Sequence, residues 1–181
     1  MTAIIYQALC TCLGLPSSSA QASALIREAY QEPENAPRPP RSTDVIYYSV
    51  VPDTVAAEPP AAYAAENTAS ASHTPAVSSF SAWTLQVICY GPHALTNARK
   101  IRAFLFVDGP GFPRSILRKA GIRPVPDPPE PMLLHEPEGS LWRTRADLTV
   151  SLRAEEKETH PTRRGAIGNT LVIILHRSQV T

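Results

Sequence analysis

The placing of its prolines limits what this chain can fold into more than any other feature of the sequence. The 19 prolines outnumber the 8 glycines, and they fall in clusters. Each fixes its own φ, removes a backbone donor and pushes the preceding residue out of helical geometry, so a cluster excludes helix and central strand alike. Four lie from Pro33 to Pro40 and five from Pro124 to Pro131. Those stretches must be extended connections, and regular structure is confined to the segments between them.

The first such segment, residues 2–15, sets Ile4, Ile5, Ala8, Leu9, Cys12 and Leu13 on one side at helical spacing, which predicts an amphipathic helix stopped by Pro16 and three serines. Residues 23–30 fit a helical turn or a strand equally well. Thr43 to Val51 is rich in β-branched and aromatic residues and reads as a strand. Asp53 to Pro75 is rich in alanine, proline and serine, with too little apolar surface to offset its own ordering, and is expected to be a mobile loop. From Val77 to Tyr90 a second strand puts Trp83, Leu85, Val87 and Cys89 on one face, with Thr84 and Gln86 on the other.

Gly91-Pro92 breaks that strand. Pro92 suits the first position of a helix running to about Phe106, with Ala94, Leu95, Ala98, Ile101, Phe104 and Leu105 as its buried stripe. A short helix over Pro113–Ala120 is expected to close at Gly121 in a left-handed cap. Leu141 to Arg153 alternates without a fault. Trp142, Thr144, Ala146, Leu148, Val150 and Leu152 face one way, and Arg143, Arg145, Asp147, Thr149, Ser151 and Arg153 the other. That pattern belongs to an antiparallel sheet with one covered and one wetted face. The apolar run Leu171–Leu175 reads as a final strand. A chain of 181 residues fits one domain. The expected fold is α+β: one domain over 1–181, a mainly antiparallel sheet with an amphipathic helix and shorter helices on one face, and long Pro/Ala-rich loops at about 31–42 and 53–76.

The side chains offer little to chemistry. His73, His93, His135, His160 and His176 stand in no metal-ligand spacing with one another, with cysteine or with a carboxylate, and read as exposed or helix-end residues. Cys10, Cys12 and Cys89 are odd in number and irregularly spaced, which argues against a disulfide framework and for a reducing compartment; Cys89 is expected to be a buried, inert thiol. Gly109-Pro110-Gly111 lacks the strand before it and the Lys-Ser/Thr pair after it that a phosphate loop needs. Glu155, Glu156 and Glu158, interleaved with Lys157, read as a solvated strand end. No catalytic, metal-binding or cofactor-binding residues are assigned, and no cofactor is expected. The net charge of +1 comes with no basic tract of the kind that tracks phosphates. No signal peptide or membrane anchor is read at the N-terminus, so synthesis in the cytoplasm is expected.

Two local signatures remain. Tyr90-Gly91-Pro92 leads into Asn97-Ala98-x-x-Ile101, and Trp142-x-x-Arg145-x-Asp147-Leu148 opens the long strand after the approach Pro128-Pro129-Glu130-Pro131. With the strand Asp44-Val45-Ile46-Tyr47-Tyr48 and the long loop behind it, their order and separation resemble the tail terminator (neck, tail-completion) proteins of long-tailed bacteriophages. The similarity spans roughly residues 43–153. The alanine-rich loop and the apolar run at 171–175 depart from the pattern. Tyr90, Ile101 and Trp142 read equally well as plain core.

The resemblance implies a structural virion protein of the tail-neck region, made in the host bacterial cytoplasm. It implies a homohexameric ring that caps the tail tube and offers its other face to the head–tail connector (stopper) protein, with encapsulated DNA passing through the lumen without sequence-specific binding. Arg114, Arg118 and Lys119 are candidates for assembly contacts with an acidic neighbouring surface. The alternatives are another connector component, stopper or adaptor, or a small nucleic-acid-binding module.

Overall fold

The fold is described from a computed structural model, for residues 1–29, 39–53, 63–64 and 76–159. Apolar periodicity sets its elements. Helix α1 (Thr2–Leu13) buries Ile5, Ala8, Leu9, Cys10 and Cys12, and ends where Gly14 turns left-handed at φ 73°. The ambiguous stretch resolves into both of its readings. Ser19 caps the short helix α2 (Ala20–Leu25) by accepting from the Ala22 N–H at 3.1 Å, and β1 (Ile26–Glu28) follows at once.

Strands β2 (Val45–Pro52) and β4 (Ala76–Tyr90) flank the alanine-rich loop, from which only the short β3 (Tyr63–Ala64) is described. Helices α3 (Ala94–Leu105) and α4 (Pro113–Lys119) come next, and Gly121 takes the left-handed conformation expected after α4, at φ 73°. Strands β5 (Ile122–Pro124), β6 (Met132–Glu138) and β7 (Leu141–Thr159) complete the described chain.

The strands form one sheet in the order β1-β2-β4-β7-β5, with β3 beside β4 and β6 beside β7. All pairs are antiparallel except β1 with β2. β4 and β7 run together from Tyr90 opposite Arg145 to Ala76 opposite Thr159. The helices lie on one face, where Ile46, Leu85, Val87, Cys89, Ala146, Leu148, Val150 and Leu152 meet Ile5, Leu9, Ala98, Ile101 and Leu117 in one core. Each large aliphatic side chain buried there contributes roughly 1.5–3 kcal/mol. The α+β architecture with helices on one face is as expected.

Several details differ. Pro92 sits in a turn ahead of α3, whose N-cap is His93, so the helix starts two residues later than proline placement suggests. Strand β6 follows the proline-rich spacer of residues 124–131, in a stretch to which the sequence pattern assigns no element. β7 continues past Arg153 to Thr159, so Glu155, Glu156 and Glu158 lie within a paired strand rather than at its tip. Trp142 is 68% exposed and is not core, because β7 outruns both β4 and the helix layer at that end. Phe104, assigned to the buried stripe of α3, is 37% exposed and stacks on Phe112 with ring centroids 6.4 Å apart. The run Leu171–Leu175, His73, His160, His176 and most of the 31–42 and 53–76 loops lie outside the described residues.

A candidate interaction surface on the open face

Strand alternation dictates what the uncovered face carries. Residues opposite one another in an antiparallel pair share a face. Tyr90 pairs Arg145, Ile88 pairs Asp147 and Tyr47, and Glu136 pairs Arg143, so these side chains stand together on the face away from the helices. They form one network at the root of the β6–β7 hairpin.

Arg145 grips Asp147 two residues along its own strand with a two-pronged contact, Nε to Oδ1 and Nη2 to Oδ2, each at 2.7 Å. Its Nη1 lies 3.7 Å from Glu136 Oε2, which also accepts from the Tyr90 hydroxyl at 3.0 Å. The hydrogen bonds that Arg145 donates to Asp147 push its guanidinium further above its ordinary range, so it stays charged. Burial pushes the Tyr90 hydroxyl up, and its bond to Glu136 adds to the shift. Arg143 is 6% exposed and lies over the Tyr90 ring, 4.8 Å from its centroid, a favourable place for a desolvated cation. Tyr47 meets the Tyr90 ring edge-on at 6.1 Å.

A second tier ties the hairpin to the chain ahead of β2. Arg41 Nε donates to Glu138 Oε2 at 2.8 Å, and its Nη2 donates to the Glu138 carbonyl. Arg143 Nη2 donates to the Pro39 carbonyl at 3.2 Å. Arg143 Nη1 lies 3.8 Å from Glu138 Oε1, while its buried Nε has no partner among the described residues. Beside these groups is a half-open cavity of about 260 Å³, lined by Tyr47, Ile88, Tyr90, Arg143 and both glutamates. Three guanidinium groups here face three carboxylates. The cluster is balanced, and its chemical capacity is to fix geometry: it braces the hairpin against the sheet.

The other signature residues have structural places. Gly91 has φ 109°, and a Cβ on it would meet Asp44 Oδ1 at 2.5 Å, Asp44 Cα at 2.8 Å and the Thr43 carbonyl at 2.8 Å. Asp44 in turn accepts from the His93 backbone N–H at 2.9 Å and meets its Nδ1 at 2.8 Å, which fixes the entry of α3. Pro92 is exposed in that turn. Asn97 is half-buried in the first turn of α3, its N–H donating to the His93 carbonyl at 2.8 Å, and Ile101 is fully buried in the core.

The two motifs therefore meet through Tyr90, Arg145 and Asp147, while Trp142 stands apart on the projecting hairpin. Arg143, Arg41, Glu136 and Glu138 belong to the same network and were not singled out from sequence, and Tyr47 was named only within the strand that carries the resemblance. For Arg143 the signal was present, since alternation places it on the face of Arg145 and Asp147. Arg114 donates to the Phe106 carbonyl at 3.3 Å and Arg118 pairs with Asp108 at 3.3 Å, both within the chain; Lys119 is exposed.

Among the described residues no group of His, Cys, Asp and Glu has a metal-binding arrangement, and no helix is long and apolar enough to cross a membrane. Cys10, Cys12 and Cys89 are buried and unpaired, and burial pushes the Cys12 and Cys89 thiols up to about 12. No curated protein matches the chain. The profile of the family described as phage neck terminator protein matches residues 1–174, and the chain belongs to that family.

Proposed function

We propose that this structural phage protein caps the finished tail tube as a six-fold ring and joins the tail to the head-neck connector. The observation that carries the reading is the neck terminator match over residues 1–174. The geometry supports it by presenting unlike surfaces in different directions: an open sheet face with a braced polar network, and an outer helix layer on the other side. A ring subunit needs that separation, because heterologous contacts join two unlike surfaces and the two rims meet different neighbours. The partners under this reading are further copies of the chain, the tail tube protein and the connector stopper. DNA passes the lumen without sequence-specific contact, in keeping with a net charge of +1. The same family match supports a non-enzymatic role in the tail-neck region of the virion.

Phage particles made without the protein test this directly. Negative-stain images are expected to show filled heads and separate tails, and the purified protein is expected to add one six-fold layer at the upper end of those tails and restore joining. Normal joining in its absence would refute the proposal. A twelve-fold layer on the head side would point instead to an adaptor.

A further inference from the structure

A net charge of +1 conceals a segregation of charge along the chain. From Glu28 to Glu66 there are seven acidic and two basic residues, and from Arg99 to Arg123 seven basic and one acidic. The fold carries the two stretches to opposite edges of one sheet. In the order β1-β2-β4-β7-β5, the acidic stretch begins at the end of β1 and forms β2. The basic stretch forms most of α3, all of α4 and the start of β5, and α4 packs against β5.

The β5 edge is positive on both of its sides. α4 carries Arg118 and Lys119 in its last turn, and from Pro113 to Pro126 no acidic residue interrupts the basic ones. Arg118 meets Asp108 at 3.3 Å in a half-exposed pair, which water weakens. On the open face Arg123 lies directly opposite Arg153, both exposed. Like charges opposed across a strand pair repel, and a carboxylate brought against this edge relieves the repulsion. Among the described residues neither Lys119 nor Arg123 has a carboxylate at ion-pair distance.

The other edge matches it in sign and in height. The Asp53 N–H donates to the Ala82 carbonyl at 2.8 Å, Ala82 pairs Arg153 and Arg153 pairs Arg123, so Asp53 and Arg123 end one row across the sheet. β1 ends opposite Tyr48, short of that row, so among the described residues no strand lies outside Asp53. Glu28, two residues on from the buried Ile26, closes β1 on the helix side of the same edge.

We propose that the basic α4–β5 edge of one copy, through Lys119 and Arg123, docks on the acidic β1–β2 edge of the next, through Glu28 and Asp53, as the head-to-tail contact of the ring. The inference rests on the ring reading and names the surfaces that close it. The occupant is a second copy because the two edges are opposite in charge, stand on opposite sides of the same chain and share a row. A rotation about an axis along the strands, with no rise, brings one edge against the other, as a ring rather than a filament requires. The same charges steer unlike edges together and hold like edges apart, which selects head-to-tail encounters.

The test measures self-association by sedimentation over rising concentration, alone and on tails lacking the protein, with thermal melts to check that each variant folds. Lys119→Glu with Arg123→Glu, and separately Glu28→Lys with Asp53→Lys, are each expected to weaken association by ~10-fold or more. Mixing the two variants is expected to restore it, because every contact then joins an acidic edge to a basic one. Wild-type association should also fall ~10-fold or more from 0.1 M to 1 M salt, as the screening length drops from roughly 10 Å to 3 Å. That series decides the matter should either variant fail to fold. If wild-type rings form and both variants form them equally well, the contact is wrong and the ring reading stands. Two weakened variants that stay apart on mixing would overturn the pairing of these edges. Loss of binding to double-stranded DNA in the Lys119→Glu, Arg123→Glu variant, with self-association intact, would assign the basic edge to nucleic acid and overturn the proposal. A wild-type chain that never self-associates, even on tails, would overturn both readings.

Discussion

Replacing Gly91 by alanine should damage this protein far more than the same change at Gly14. Both glycines have positive φ, 109° and 73°. Holding alanine in such a conformation costs ~1–2 kcal/mol. At Gly14 nothing lies within 4 Å of the added Cβ, so that is the whole effect. At Gly91 the Cβ would meet Asp44 and Thr43, and two of the three nearest atoms are backbone. The start of β2 must then move, loosening the Val45–Tyr90 pair and the two contacts from Asp44 to His93. Each lost hydrogen bond costs ~0.5–1.5 kcal/mol, which brings the Gly91→Ala total to ~3–4 kcal/mol. For a chain of this size the melting temperature should fall by ~6–16 °C, against ~2–8 °C for Gly14→Ala. Urea and thermal unfolding followed by circular dichroism, on the two variants side by side, measure the difference. If the two losses agree within ~0.5 kcal/mol, the ordinary error of independent sites, the close approach of Asp44 is not what requires glycine at this turn.

Three further outcomes follow from the open face and the core. In a double-mutant cycle, Arg145→Met and Asp147→Asn should show a coupling of about 1 kcal/mol in urea unfolding, since both side chains are about a quarter exposed and their contact is two-pronged; additive losses would mean the pair is not held. Arg143→Met should change stability by under ~1 kcal/mol, because it keeps the stem packed on Tyr90 and removes a buried, unpartnered Nε, whereas Arg143→Ala should cost ~2–3 kcal/mol. Equal losses would show that charge rather than packing matters there. Stability should also fall in alkali. The Cys12 and Cys89 thiols rise from 9.0 to about 12 and the Tyr48 hydroxyl from 10.0 to about 12, in each case chiefly through burial. The unfolded chain releases these protons first, so the contribution is complete below about pH 9 and is lost as pH rises toward 12; urea midpoints that hold steady from pH 9 to 11.5 would refute it.

Alternation and helical spacing were enough to find β4, β7, α1 and α3, because each carries a long, unbroken pattern set by one covered face. β6 was hidden. Its sequence, Met132 to Glu138, follows five prolines, contains Pro137 and has no alternation, because apolar groups stand on both of its faces. Trp142 followed the alternation of β7 correctly, but nothing local reveals where the covering helices stop. The network around Tyr90 was legible only in part. Its members come from β2, β4, β6, β7 and the chain before β2, and only the register of long-range pairing brings them together. Gly91 and Asp44 are a case of the same kind, for the sequence displays the turn but not the strand that crowds it.

The long partnership of β4 and β7 also sets the order in which this protein comes to exist. Their pairing joins Tyr90 to Arg145 and Ala76 to Thr159, with both α3 and α4 in the loop between, so the ends must find one another before any contact offsets the closure entropy. The β6–β7 hairpin, joined by Gly139 and Ser140, needs only ~1–10 μs, while sheets dominated by distant pairings close in milliseconds to seconds. A newly made chain therefore forms its hairpin, with Met132, Leu141 and Trp142 exposed, while the sheet that will brace it is still open. Yield in an infected cell then becomes a race between closure and collision, and synthesis beyond the rate of closure should deliver aggregates in place of usable subunits.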